Sequence, residues 1–129
     1  MEQQEVIFRL SMMEQQMNQM QQQLQAIERG INDLQSLNLG LDEIPSSPGK
    51  EILAPIGKGI YVRAKVLSEE LLVNVGDNNF VNRSVKEAKD LIGGQVKKLG
   101  DMKSDIERSI EMTNEEFMGL IQKYQGKEE

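Results

Sequence analysis

From Val6 to Leu34, apolar residues recur at intervals that alternate between four and three: Val6, Leu10, Met13, Met17, Met20, Leu24, Ile27, Ile31 and Leu34. An a/d spacing held unbroken for four heptads is the pattern of a left-handed coiled coil. A helix with so narrow a seam must find a second helix to cover it. Asn38 and Leu41 continue the register, while Gly40 marks where the helix is expected to fail. Between the stripe positions the residues are mostly Gln, ten of them before position 36. Gln keeps that surface soluble and helix-compatible, but it supplies few of the e/g charges that select a partner helix.

A covering helix is visible at the other end of the chain. Ser84-Val85-Lys86-Glu87 has the form of a capping box, Ser at the N-cap and Glu three residues on. From there Val85, Ile92, Val96, Leu99, Ile106, Ile110, Phe117, Leu120 and Tyr124 fall on one heptad register, with Lys89, Lys103 and Thr113 filling the remaining seam positions. Polar seam residues weaken a coiled coil and can select its register, and the long Lys stems can snorkel outward beside the seam. Gly93-Gly94 and Gly100 lower helix propensity, yet nothing ends the helix before Gly126. At 1.5 Å per residue, helices of about 35 to 40 residues extend on the order of 50 to 60 Å.

The segment between the helices repeats itself at an offset of 19 residues. Ser36 to Glu51 reads as a linker, with Pro45, Ser46-Ser47, Pro48 and Gly49. Ile52-Leu53-Ala54-Pro55-Ile56-Gly57-Lys58-Gly59-Ile60-Tyr61-Val62 then lies over Leu71-Leu72-Val73-Asn74-Val75-Gly76-Asp77-Asn78-Asn79-Phe80-Val81. Each copy is a β-rich run, a tight turn whose Gly or Asn residues tolerate φ > 0, and a second run with an aromatic. Pro55 cannot donate to a ladder, which puts its strand at an edge or ends it there. Ser68-Glu69-Glu70 joins the copies. Isolated hairpins are marginal in water, and their unpaired edges invite other chains. An oligomer that pools hairpins from several subunits follows from this alone.

Composition excludes several functions. The net charge is −6 with 15 basic residues spread among 21 acidic ones, a poor footing for nucleic acid, which draws on clustered Lys and Arg. With no Cys there are no disulfides or thiolate sites, and with no His the usual general base is missing. The carboxylates of Asp105, Glu107, Glu115 and Glu116 read as solvated helix faces. Gly57-Lys58-Gly59 lacks the third glycine of a dinucleotide loop and the Ser/Thr of a P-loop. The expectation is a protein without enzymatic activity, cofactor or metal. The Gln-rich, acidic start carries no secretory signal, and no apolar run approaches the ~20 residues that span a bilayer. A cytoplasmic protein without membrane contact is expected.

The layout of helix, two hairpins, helix resembles the α-class subunits of the prefoldin family. Residues 52–65, from Ile52-Leu53-Ala54-Pro55-Ile56-Gly57-Lys58-Gly59 through Ile60-Tyr61-Val62, are similar to the family's signature stretch. Val73-Asn74-Val75-Gly76, Phe80-Val81 and Ser84-Val85-Lys86-Glu87-Ala88 resemble its second hairpin and helix start. Two hairpins point to the α class, and the compact length resembles archaeal members. Lys58 stands where the family usually has a small residue, and Asp77-Asn78 replaces a glycine-rich turn; neither breaks the turn chemistry. The resemblance implies one prefoldin-like domain over residues 1–129, mainly α with a small β part. A long antiparallel two-helix coiled coil (helices 1–39 and 84–125) would be joined, after a linker at 40–51, by two β-hairpins at 52–83. Those hairpins would assemble into an oligomeric β-barrel through Ile52, Leu53, Ile56, Ile60, Tyr61, Val62, Leu72, Val73, Val75, Phe80 and Val81.

The resemblance further implies an ATP-independent chaperone. Two α and four β subunits would form a hetero-hexamer whose coiled-coil tips hold unfolded polypeptides and pass them to a group II chaperonin. In an antiparallel pair the free tip contains the start of helix 1 and the end of helix 2. There Val6, Ile7, Phe8, Leu10, Met12 and Met13, and Phe117, Met118, Leu120, Ile121 and Tyr124, are denser in apolar groups than a two-position seam requires. Ile7, Phe8, Met12, Met118 and Ile121 lie off the seam, where exposed apolar groups and adaptable Met suit varied non-native surfaces. The rival expectation is a structural coiled-coil adaptor for one folded partner. Such pairing normally shows patterned e/g charges, and helix 1 offers mostly Gln there.

Overall fold

The structure, a computed structural model, describes residues 2–128 and the side chains of residues 2–126. In chain order it contains α1 (Gln3–Leu41), a 3-10 turn (Ile44–Ser46), β1 (Glu51–Gly57), β2 (Ile60–Lys65), β3 (Leu71–Asn74), β4 (Phe80–Arg83) and α2 (Val85–Glu128). The described residues fall into two compact units, one built from the chain up to Asn32 and from Lys97 onward, the other from Asp33–Val96.

In the first unit the α1 and α2 segments pair antiparallel along the expected seam. Val6 and Ile27 are buried, and Leu10, Met13, Met17, Met20, Leu24 and Ile31 are half-buried between exposed neighbours. On α2, Leu99, Lys103, Ile106, Ile110, Thr113, Phe117, Leu120 and Tyr124 are half-buried in the same rhythm. Lys103 resolves its awkward seam position as a snorkelling residue: its Nζ lies 3.8 Å from the Glu28 carboxylate of α1. Gly30 also sits beside the seam, because a Cβ there would meet Leu99 Cδ1 at 3.4 Å.

The second unit holds the remaining core. Leu41, Ala88 and Ile92 are buried together, with Leu34, Ile44, Leu71, Val85 and Val96 packed around them. Lys89 donates to Asp42, just past the end of α1, and so is a second seam lysine with a flanking carboxylate. At the start of α2 the Ser84 Oγ accepts the Glu87 N–H at 3.1 Å and its hydroxyl donates to the Glu87 carboxylate at 3.2 Å, which satisfies one of the orphan donors of the first turn.

The helix ends differ slightly from the expected ones. α1 runs through Gly40 to Leu41, where the Asp42 and Glu43 N–H groups turn back to the Leu39 and Gly40 carbonyls, each at 3.2 Å. A glycine costs a helix only ~1 kcal/mol, so the break waits for Pro45, at the start of the 3-10 turn. For the same reason α2 passes Gly126 and continues to Glu128.

The two hairpins are separate two-stranded antiparallel sheets. In the first, Ile52 faces Ala64, Ala54 faces Val62 and Pro55 faces Tyr61, with a bulge between Pro55 and Gly57. In the second, Leu71 faces Arg83, Val73 faces Val81 and Asn74 faces Phe80. The duplication extends to the backbone. Gly57, Lys58 and Gly59 have φ of 145°, 50° and 80°; Gly76, Asp77 and Asn78 have 124°, 49° and 59°. Two successive left-handed residues after a glycine make the primed turn that matches strand twist. In the second turn, the Asn79 N–H donates to Gly76 O at 2.9 Å, and Asn74 Oδ1 accepts from the Gly76 N–H at 2.9 Å.

Candidate functional site

The candidate sites of this chain are surfaces. Among the described residues no group of three or more His, Cys, Asp or Glu side chains is placed to hold a metal ion, and no helix is long and apolar enough to cross a membrane.

The first surface is the pair of hairpins. Strand alternation puts Ile52, Ala54, Ile60, Val62 and Ala64 on one face of the β1–β2 sheet and Leu53, Pro55, Tyr61 and Arg63 on the other. A globular domain would bury one of these faces. Here Ile52, Leu53, Ile56, Ile60, Tyr61 and Val62 are all exposed, Ile60 by 62%. In the β3–β4 sheet, Leu71, Val73 and Val81 are half-buried on one face, Leu71 against the core of Leu41, Ala88 and Ile92, while Leu72, Val75 and Phe80 are exposed. Of the expected assembly residues, Val73 and Val81 are half-buried in the single chain and the rest are exposed. Among the described residues each strand also pairs with one other strand only, which leaves its outer edge without a strand partner.

The second surface lies at the end of the first unit, where α1 begins and α2 finishes. Off the seam, Ile7, Phe8, Met12 and Met118 are exposed, Phe8 by 64%. Phe8 and Met12, four apart, stand on one face of α1 that points away from the seam. Ile121 differs from the expectation of an exposed off-seam group. It is half-buried because it follows the seam residue Leu120 directly and flanks the helix contact. The seam members behave as core: Val6 is buried to 4%, and Leu10, Met13, Phe117, Leu120 and Tyr124 are half-buried.

The sequence reading missed some exposed apolar groups. Leu67, in the link between hairpins, is 92% exposed. Leu37 and Leu91 are exposed beside the seam and line an apolar groove of about 420 Å³ with Leu34, Leu72 and Ile92. Leu37 and Leu91 break the polar pattern of their helices outside the a/d positions, which was the available signal.

This arrangement of an antiparallel helix pair, two separate hairpins and apolar sheet faces without cover defines a class of oligomer-forming coiled-coil subunit. The family model of the prefoldin subunit matches residues 9–128, and the chain belongs to the prefoldin family as a chaperone subunit. Its relatives place it among the alpha-type subunits. It is 34% identical over 86 residues to prefoldin subunit alpha of Thermofilum pendens, covering 65% of this chain and 67% of that one. It is 25% identical over 83 residues to prefoldin subunit alpha of Methanosphaera stadtmanae, covering 64% and 60%. It is 31% identical over 78 residues to prefoldin subunit alpha 2 of Thermococcus kodakarensis, covering 60% and 55%. These matches span between about half and two thirds of the relatives' lengths. In fold, the chain is similar to a chain of filamentous PFD from Methanocaldococcus jannaschii, with TM-score 0.76, 21% identity, and coverage of 92% of this chain and 98% of that one.

Proposed function

We propose that this alpha-type subunit holds non-native polypeptides, without ATP, on the exposed apolar groups at the end of its helix pair. It assembles through its hairpins with four beta-type subunits and a second alpha chain. It then passes its clients to a group II chaperonin in the cytoplasm. The observation that carries the reading is the off-seam set Ile7, Phe8, Met12 and Met118, exposed beside the seam residues that hold this end of the helix pair together. Large apolar groups kept in water on a soluble chain mark an interaction site. Met and Phe on a helix surface suit a partner without fixed shape. The hairpins supply the separate requirement of a base, since neither sheet buries both its faces and edges in the single chain.

Deleting residues 1–10 and 117–129 tests the division of labour. Assembly with a beta-type subunit, measured by mass in solution, should survive, while suppression of aggregation of a chemically unfolded client should be lost. Undiminished suppression by the truncated assembly would refute the assignment of holding to this end.

A further inference from the structure

One flank of the first unit's seam carries a groove of about 440 Å³ with a floor of Met17, Leu24 and Ile110. Its rim carries the carboxylates of Glu107 and Glu111, beside the amides of Gln21 and Asn114. Glu107 and Glu111 lie one turn apart on α2 and are both exposed. Neither takes part in an ion pair among the described residues. An apolar trough with two unmatched carboxylates on its lip is complementary to a particular shape, that of an aliphatic stem ending in a cation.

The chain itself shows that shape in place one heptad away. Lys103 occupies the seam position equivalent to Ile110; its side chain is partly covered there, and its ammonium lies 3.8 Å from Glu28. Lys89 and Asp42 repeat the arrangement within the second unit. At Ile110 both members of that pair are replaced, since the α1 position corresponding to Glu28 is Gln21; the carboxylates beside the apolar floor are instead Glu107 and Glu111 of α2 itself. The opposite flank differs, because Arg9 and Lys123 accompany Glu116 around Met13 and Leu120 and leave no acidic excess.

Building on the holding function above, we propose that this groove receives a lysine or arginine side chain of the bound polypeptide. Its stem crosses Met17, Leu24 and Ile110 and its charge lies at Glu107 and Glu111. The subunit therefore selects non-native segments in which a basic residue neighbours large apolar ones, and it does so from a site distinct from the exposed groups at the unit's end. Because both carboxylates face water, the selectivity is salt-sensitive.

The test uses the full chain in its assembled state and two synthetic unstructured peptides with identical Leu and Phe spacing. One carries lysines and its twin carries glutamates at the same positions, and binding is read by fluorescence anisotropy. The lysine peptide should bind more tightly at low salt, and Glu107→Gln with Glu111→Gln should weaken it about three- to tenfold, without changing the twin. Glu115→Gln with Glu116→Gln removes the same charge elsewhere on α2 and should leave the lysine peptide unaffected. Glu107→Lys with Glu111→Lys should reverse the preference. An equal loss from both neutralised pairs would assign the effect to the general field and overturn the groove. Equal binding of both peptides, with holding still dependent on residues 1–10 and 117–129, overturns the selectivity and leaves the holding function standing. If neither peptide binds and no client is protected, both fail.

Discussion

The uncovered face of the first hairpin allows a worked estimate of what assembly gains. Ile60 is 62% exposed and Ile52 and Val62 are each 45% exposed in the single chain. Full burial of such a side chain stabilises by about 1.5 to 3 kcal/mol. The part still exposed therefore leaves about 1 to 2 kcal/mol at Ile60 and about 1 kcal/mol at each of the others. Ile52→Thr, Ile60→Thr and Val62→Thr together keep β-branching and strand preference but replace this face with hydroxyls. Assembly should weaken by about 2 to 4 kcal/mol per hairpin, on the order of 30- to 1,000-fold in dissociation constant. Sedimentation of the chain with a beta-type subunit across a dilution series measures that constant, and circular dichroism of the dilute chain checks the helices. An unchanged dissociation constant would refute the assignment of this face to assembly. Lost helicity in the dilute chain would show instead that the face supports the chain's own fold.

Three further outcomes follow from local geometry. Ser84→Ala removes the Oγ that accepts the Glu87 N–H and should cost about 1 kcal/mol in urea unfolding. A Cβ at Gly94 or Gly100 meets nothing within 4 Å; Gly94→Ala with Gly100→Ala should each add up to ~1 kcal/mol, raising the thermal midpoint by several degrees in a dichroism melt. Asn38 lies half-buried at a seam position, and its Oδ1 has no hydrogen-bond partner among the described residues. Asn38→Leu should therefore stabilise the chain by about 1 to 2 kcal/mol, with mass measurement reporting whether the oligomer changes as the polar seam residue is lost.

The helices were legible because a seam is written in one dimension. The a/d positions from Val6 to Leu41 are buried or half-buried, and so are the α2 positions from Val85 to Tyr124. The hairpins were legible through their duplication, down to Asp77 and Asn78 taking the left-handed conformations that Lys58 and Gly59 take in the first copy. What escaped was set by side contacts that the period does not encode. Ile121 is screened by its place next to the seam, Leu99 Cδ1 lies within contact of a Cβ placed at Gly30, and Glu28 and Asp42 match seam lysines two heptads apart. Helix ends were off by two or three residues because Gly40 and Gly126 tax a helix without stopping it.

The thinness of the interior bears on how the surfaces work together. Among the described residues the buried side chains are Val6, Ile27, Leu41, Ala88 and Ile92, and no polar side chain is buried. The seam is further weakened by Asn38, Lys89, Lys103 and Thr113, which sit where Leu or Ile would pack better. A chain with so little core has a small margin of its own. Covering Ile52, Ile60 and Val62 supplies burial comparable to that of several core residues, and any partner that binds only the folded hairpins stabilises the chain by mass action. On this reasoning the thermal midpoint of the chain should rise with the concentration of a partner that binds its hairpins, which a dichroism melt across a titration measures. The exposed apolar groups of the hairpins and those at the end of the first unit impose the same risk of aggregation on the lone chain. The Gln-rich outer face of α1 and the net charge of −6 offset that risk without covering either surface.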